Sequence, residues 1–315
     1  MFARSLTSHA VTGVLRRLVK PLLFRTGVDP ETLRKQVLAV SGRFASMPRG
    51  IRVNSGRLEG IPVSWIYNEK SSADFVILYL HGGGFVLPEL KVHLAFCGYL
   101  ARKTAATVIL PSYRLAPEHP FPAAPEDCLA TYRWLLQRGY AAERIIIAGD
   151  SAGGNLTLAT ALAARREGLP LPRGLVMLSP VLRFEETDTG SHRDNLESEA
   201  MLSRQAIEYF FNAYIPEDVL LSDPRLSPLL EDFSGLPPMR LYAGSAEILR
   251  DDSLLAVEKA REAGVDAEVM IGEGMPHVWP LLDILPESRP AREDVVLFIN
   301  NRWRSLRSPS RAVMR

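Results

Sequence analysis

Short strand-like runs, several of them continuously apolar, recur along the chain, separated by stretches whose apolar residues fall three or four apart. The runs lie at roughly 51–56, 61–67, 74–80, 107–111, 144–148, 174–179, 239–243 and 266–271; Phe75-Val76-Ile77-Leu78-Tyr79-Leu80 and Ile145-Ile146-Ile147-Ala148 are typical. Runs of this length without polar alternation predict strands buried on both faces. From the third run onward the intervening segments mostly have helical spacing, as in Cys128, Leu129, Tyr132, Leu135 and Leu136, so strand and helix alternate. That alternation predicts an α/β protein with a mostly parallel, eight-stranded sheet flanked by helices. The first two runs lack a long crossover between them and predict an antiparallel start around Gly60. Two regions, 1–48 and about 183–222, have helical character without strands. In the first, Val11, Val14, Leu15, Leu18, Val19 and Leu22 recur at helical spacing, while Arg16, Arg17 and Lys20 face elsewhere. Pro21 is predicted to end or bend that helix.

In parallel sheets, sites form beyond the carboxyl ends of strands. One run leads straight into Gly149-Asp150-Ser151-Ala152-Gly153-Gly154-Asn155, which opens a helical stretch. Strand, sharp turn and helix with G-x-S-x-G at the turn describe a nucleophile elbow, in which a strained turn lifts the serine hydroxyl above the sheet and the glycines admit close backbone approach. Ser151 is therefore the candidate nucleophile, against the plainer reading of a turn rich in small residues. Another run ends in His81-Gly82-Gly83-Gly84-Phe85. A merely flexible loop there would expose backbone and lose entropy on folding. Side-chain-free N–H groups aimed at a substrate oxygen explain the three glycines better, and HGGG is the oxyanion loop that accompanies such elbows in lipases and esterases.

A serine hydroxyl is a weak nucleophile near neutral pH and needs an imidazole to take its proton. Among six histidines, His9 belongs to the amphipathic N-terminal segment, His192 to a polar stretch, and His93 and His119 to loops. His81 sits in the glycine loop, where its ring reads as a brace for the backbone. His277, in Gly272-Glu273-Gly274-Met275-Pro276-His277, follows a strand and lies after both the nucleophile and an acid candidate, the order this hydrolase class requires. For the acid, Glu247, Asp251 and Asp252 compete. Glu247 lies just after the run at 239–243, where a carboxylate can fix the imidazole's tautomer. Asp251 and Asp252 precede the helical pattern Leu254, Leu255, Val257 and Ala260, which suits helix capping and a favourable dipole interaction.

With these motifs the chain resembles the hormone-sensitive-lipase-like esterases, bacterial family IV of the α/β-hydrolases. Tyr113-Arg114-Leu115-Ala116-Pro117-Glu118-His119-Pro120-Phe121-Pro122-Ala123-Ala124 adds a block typical of that group. The resemblance implies the α/β-hydrolase fold with a helical cap made by residues 1–48 and 183–222, over a core of 49–182 and 223–315. It implies oxyanion donors at Gly83, Gly84 and Ala152, with His81, Gly82, Asp150, Asp251 and Asp252 in supporting positions. It also implies a carboxylesterase acting on short- to medium-chain esters. The family's acid motif, D-x-L-x-D-[DE], is matched by Glu247-Ile248-Leu249-Arg250-Asp251-Asp252 with glutamate first, which keeps the carboxylate and lengthens its arm. Pro88 stands where members often carry glycine and is expected to stiffen the pocket rim.

Composition narrows the alternatives. A formal net charge of +1 predicts no nucleic-acid partner through bulk electrostatics. Two cysteines, Cys97 and Cys128, are too few for a disulfide framework, and Cys128 reads as a small core residue. No metal-ligand spacing and no phosphate-binding glycine loop is present, so neither metal nor cofactor is expected. Residues 1–28 hold five basic residues and no acid, which suits a transit peptide or a membrane-surface helix, but a cap helix fits better because no long apolar core follows. The expectation is a cytoplasmic enzyme without stable membrane insertion. The arginine-rich tail from Arg302 through Arg304, Arg307 and Arg311 to Arg315 reads as a helix end and a solvated terminus. Family resemblance also implies a homodimer, with the strand at 266–271 near an exposed edge. Two rival functions use the same framework: amide cleavage or elimination at the same carbonyl site, and a non-catalytic small-ligand receptor. The presence of His277 weighs against the receptor.

Overall fold

The computed structural model describes residues 5–23, 29–43, 46–185 and 190–307. Eight strands, β1 (Arg52–Leu58), β2 (Ile61–Tyr67), β3 (Ser72–Leu80), β4 (Ala106–Pro111), β5 (Ile145–Asp150), β6 (Gly174–Leu178), β7 (Met239–Gly244) and β8 (Ala267–Gly272), form one sheet in the order β1-β2-β4-β3-β5-β6-β7-β8. β2 is antiparallel to β1 and β4, and the remaining pairs are parallel. The first hairpin closes with Leu58 opposite Ile61, and both residues of its turn, Glu59 and Gly60, have positive φ (48° and 91°). That mirror-image turn matches the twist of the flanking strands.

The helices are α1 (Leu6–Val14), a π-helical turn (Leu15–Val19), α2 (Lys20–Leu23), α3 (Pro30–Ser41), α4 (Lys91–Thr104), α5 (Ala123–Gln137), α6 (Ala152–Arg166), α7 (Ser191–Asp194), α8 (Arg204–Tyr214), α9 (Arg250–Glu262) and α10 (Ser288–Arg307). The uninterrupted apolar runs are explained by burial on both sides of the sheet. Val76, Leu78, Ile145, Ile147 and Met177 pack under α5, α6 and α9, where Cys128 and Tyr132 are core residues as expected. Ile77, Tyr79, Ile146, Val176 and Leu178 face Phe96 of α4 and Val295, Ile299 and Trp303 of α10.

α1 to α3, α7 and α8 make the helical cap region. Its N-terminal stripe departs from the simple helical reading: Val11 and Leu15 are buried, whereas Val14 and Leu18 are exposed at 42% and 54%. Beyond Val14 the period itself changes, since the Lys20 N–H reaches back five residues to Leu15 O in a π turn. Pro21 does not stop the chain there, and the helix resumes through Leu23. The basic residues also find work within the fold. Arg16 donates to Ser198 O, and Lys20 donates to Leu196 O and Glu199 O, tying the two cap segments together. Arg34 of α3 fastens the cap to the core through Val86 O, Ala116 O and a 2.7 Å ion pair with Glu118.

Among the described residues, no helix is long and apolar enough to cross a membrane, and no cluster of ligands suits a metal ion. Arg302 pairs with Asp266 at 2.7 Å, so this part of the tail is anchored; Arg311 and Arg315 lie outside the described residues.

Candidate active site

β5 ends at Asp150 and α6 begins at Ala152, leaving Ser151 alone at the turn with φ 53° and ψ −119°. A non-glycine residue held there costs about 1–3 kcal/mol, so the surroundings must impose it. Ser151 N donates to Leu178 O of β6 at 2.8 Å, and Ser151 O accepts from Gly154 N and Asn155 N. The Asn155 amide then binds Val181 O and Leu226 O. A side chain at Gly153 would collide with Leu80 O, because α6 rests directly on the end of β3. The result is a hydroxyl projecting toward His277, whose Nε2 accepts it at 2.9 Å.

His277 lies in the loop after β8, and its Nδ1–H donates to Glu247 Oε2 at 3.3 Å. Ser151, His277 and Glu247 are thus brought together from the ends of three strands. The imidazole–carboxylate contact is the looser of the two. His277 and Glu247 are buried, and Ser151 is half-buried. Burial opposes the imidazolium, but the hydrogen bond and charge of Glu247, with the charges of Glu199 and Asp150, outweigh it and hold His277 above its ordinary pKa. Burial raises Glu247 above the usual carboxylate range; His277 and the Ser179 hydroxyl favour its charged form, and Glu199 opposes it.

The other two acids of the motif point elsewhere. Asp251 and Asp252 lie in the first turn of α9, yet α9 has no side-chain cap. Asp251 accepts Ser191 N at 2.8 Å, and Asp252 accepts Leu182 N at 2.7 Å and Arg183 Nε at 3.2 Å. They fasten the start of the second cap segment instead of capping their own helix. His192, expected in a polar stretch, is buried 3.5 Å from Asp252.

Gly83 and Gly84 take φ of 122° and 61°, and both line the same cavity as Ser151 and Ala152. Ala152 is the first residue of α6, so its N–H has no acceptor within the helix. Gly84 is glycine for a further reason, since a Cβ there would lie 2.5 Å from the Phe210 ring of α8. His81 braces the loop as expected: its Nδ1–H donates to Gly82 O at 2.8 Å, its ring stacks on Tyr113 at 4.3 Å, and Tyr113 OH donates to His81 O. Burial, aided by His93, lowers the His81 pKa to about 3, so the ring stays neutral.

Asp150 links this loop to the elbow. Its carboxylate accepts Tyr79 OH at 2.8 Å, Gly82 N at 3.1 Å and His93 Nε2–H at 3.2 Å. The tautomer of His93 follows from its other nitrogen, which accepts Leu90 N. Burial raises the Asp150 pKa, but His93 and Tyr79 overcome it and the carboxyl lies below its usual range. His93 thus sits in the first turn of α4, not in a loop, and the sequence reading missed its role. Nothing local could reveal it, because its partner is 57 residues away.

Above Ser151 lies a cavity of about 150 Å³. The cap supplies Leu15, Val19, Val37, Leu202, Ile207 and Phe211, and the core supplies Leu87, Leu90, Val181 and Leu281. Apart from Ser151, His277, His93, Asp150 and Ser41, the lining is apolar or backbone. The site can hold an uncharged, apolar group beside a hydroxyl, an imidazole and the N–H of Ala152, which has no acceptor within its own helix.

Comparison with known proteins places these features in context. Residues 77–281 match the family described as alpha/beta hydrolase fold. An esterase of Acinetobacter venetianus is 36% identical over 270 residues, covering 85% of this chain and 88% of that protein. An acetyl-hydrolase of Streptomyces hygroscopicus is 36% identical over 227 residues, covering 71% and 74%. The crystal structure of an esterase from the bacterial hormone-sensitive lipase family superposes with a TM-score of 0.88 at 34% identity, covering 96% of this chain and 99% of that one.

Proposed function

The chain belongs to the hormone-sensitive-lipase-like esterases of the α/β-hydrolase family, and from that premise we propose that it hydrolyses short- to medium-chain carboxylic esters through Ser151, His277 and Glu247. Ser151 Oγ attacks the ester carbonyl while His277 Nε2 takes its proton. The oxyanion is held by the N–H groups of Gly83, Gly84 and Ala152, and donors of this kind contribute about 3–4 kcal/mol each in measured cases. His277 then protonates the departing alcohol, and a water repeats the sequence on the acyl-enzyme. Glu247 keeps Nδ1 protonated and offsets the imidazolium charge.

The observation that carries this reading is the 2.9 Å Ser151–His277 contact at an apolar cavity. The lining favours an unsubstituted acyl chain over an ionised one, because a charged group there would lose its hydration without a partner. The name of the Streptomyces relative, acetyl-hydrolase, agrees with a short acyl group. A panel of p-nitrophenyl esters of increasing chain length, set against the matching anilides, tests the proposal. Turnover should favour short to medium esters over anilides and vanish in Ser151→Ala. Preference for anilides, or no turnover of any ester, overturns it.

A further inference from the structure

The loop that carries Glu247 is fastened to the cap along nearly its whole length. Asn195 donates to Ser245 O at 3.0 Å and to Glu247 O at 2.8 Å; Ser198 Oγ donates to Ala246 O, and Ser191 Oγ to Ile248 O. The peptide N–H that follows Glu247, that of Ile248, donates to Glu199 Oε2 at 3.3 Å. Glu199 is completely buried, and its other oxygen accepts Met201 N at 2.7 Å. Behind it, Lys20 donates to the Glu199 carbonyl.

A buried carboxylate needs a reason, because burial of charge is costly and an amide could also accept a peptide N–H. Placing a second anion near Glu247 also costs Coulomb energy. Both costs are offset if the carboxylate serves a cation that forms nearby during the reaction. We propose that Glu199 is a positioning residue of the esterase site, aiming Glu247 through the Ile248 N–H and adding negative charge that stabilises the imidazolium of His277. The inference rests on the Ser151–His277–Glu247 reading above.

The electrostatic surroundings agree with this placement. The acids acting on His277 are Glu247 from the acid loop, Glu199 from the cap and Asp150 from the end of β5, and all three favour its charged form against burial. Glu199 itself acts on Glu247, on His277 and on Lys20. Lys20, lowered by its own burial and by Arg16, is favoured in its charged form by Glu199. Through Lys20 and Glu199, the N-terminal cap segment reaches the third member of the catalytic group without touching substrate.

The acid limb of kcat/KM reports the free enzyme's catalytic base and gives a readout that a purely structural contact would not move. On p-nitrophenyl butyrate, Glu199→Gln should shift that limb to lower pH by about 0.5 to 1 and lower kcat about tenfold with KM within about twofold. Glu199→Asp, which restores the charge, should bring the limb back. Asn195→Ala removes two bonds to the acid loop and no charge, so kcat should fall with the limb in place. If Glu199→Gln does not fold, Lys20→Met/Glu199→Gln also removes the cation bonded to the Glu199 carbonyl and should show a smaller shift in the same downward direction. A limb that stays at its wild-type position in the neutral variant overturns the proposal, whether or not kcat falls. Ser151→Ala and Glu247→Gln are measured alongside: if they remain active, the esterase reading itself fails, whereas inactive controls beside a wild-type-like Glu199→Gln remove only the role of Glu199.

Discussion

The nucleophile elbow and the acid loop are held in different ways. The elbow is backbone packed on backbone: Ser151 N bonds to β6, α6 rests on the end of β3, and no cap residue is needed to set its strained φ. The acid loop starts on the sheet, where Ser245 N bonds to Gly272 O, but from Ser245 O to Ile248 it depends on Ser191, Asn195, Ser198 and Glu199 of the cap. The contacts differ in the same direction, with 2.9 Å between serine and histidine and 3.3 Å between histidine and glutamate. The proposed nucleophile and base are thus positioned by the sheet, whereas the carboxylate that would orient the base depends on the cap. A cap in this fold therefore does more than line the cavity; changes within it should appear in kcat as well as in substrate preference.

The largest effects should fall on the sheet-borne half. Ser151→Ala and His277→Ala should each lower kcat by about 10⁵–10⁶, and the double variant should be hardly worse, because the two act as a unit. Their melting temperatures should stay close to wild type, and near-normal hydrolysis by either would break the account. Glu247→Gln removes the charge and can hold the ring in the wrong tautomer, so kcat should fall by about 10³–10⁴. If Asp251→Asn or Asp252→Asn silences the enzyme while Glu247→Gln does not, the acid has been misassigned.

Smaller effects sharpen the contrast. Arg16→Ala/Lys20→Ala cuts the ties to Leu196, Ser198 and Glu199, and should lower kcat by roughly tenfold while the unfolding midpoint of the sheet changes little. Asp252→Asn leaves Arg183 without its carboxylate and should cost about 1–3 kcal/mol in urea unfolding, with kcat reduced by less than about tenfold. The wild-type pH profile adds a sign. His277 must be neutral to accept the serine proton, and its pKa is held above the ordinary 6.5, so the acid limb of kcat/KM should lie above that value. In Glu247→Gln the main group raising it is gone, and the limb should move down.

How much was legible in the sequence follows the same division. Strands buried on both faces declare themselves as apolar runs, and the elbow and glycine loop are local in sequence because the backbone itself makes them. Order and strand ends were enough to single out Ser151 and His277 as candidates, whereas for the acid they left Glu247 in competition with Asp251 and Asp252. What escaped depends on partners distant in sequence. His93 looks like one more loop histidine until α4 brings it to Asp150, and Glu199 looks like one more acid in the polar stretch Asn195-Leu196-Glu197-Ser198-Glu199. Asp251 and Asp252 suited helix capping because they stand at a helix start, but the N–H groups they bind, Ser191 in the cap and Leu182 at the end of the core's first part, are about 60 and 70 residues away in sequence. The N-terminal stripe misled where a π turn replaced the 3.6-residue period on which the reading relied.

The most direct test of the account is covalent trapping of the nucleophile. A serine-directed fluorophosphonate, applied to the intact protein and followed by peptide mass spectrometry, reports which hydroxyl is activated without requiring the acyl-enzyme to accumulate. The account predicts a single adduct per chain on Ser151, none in Ser151→Ala, and slower labelling in Glu247→Gln at unchanged site. An adduct on any other residue, or full esterase activity surviving complete modification of Ser151, would contradict it.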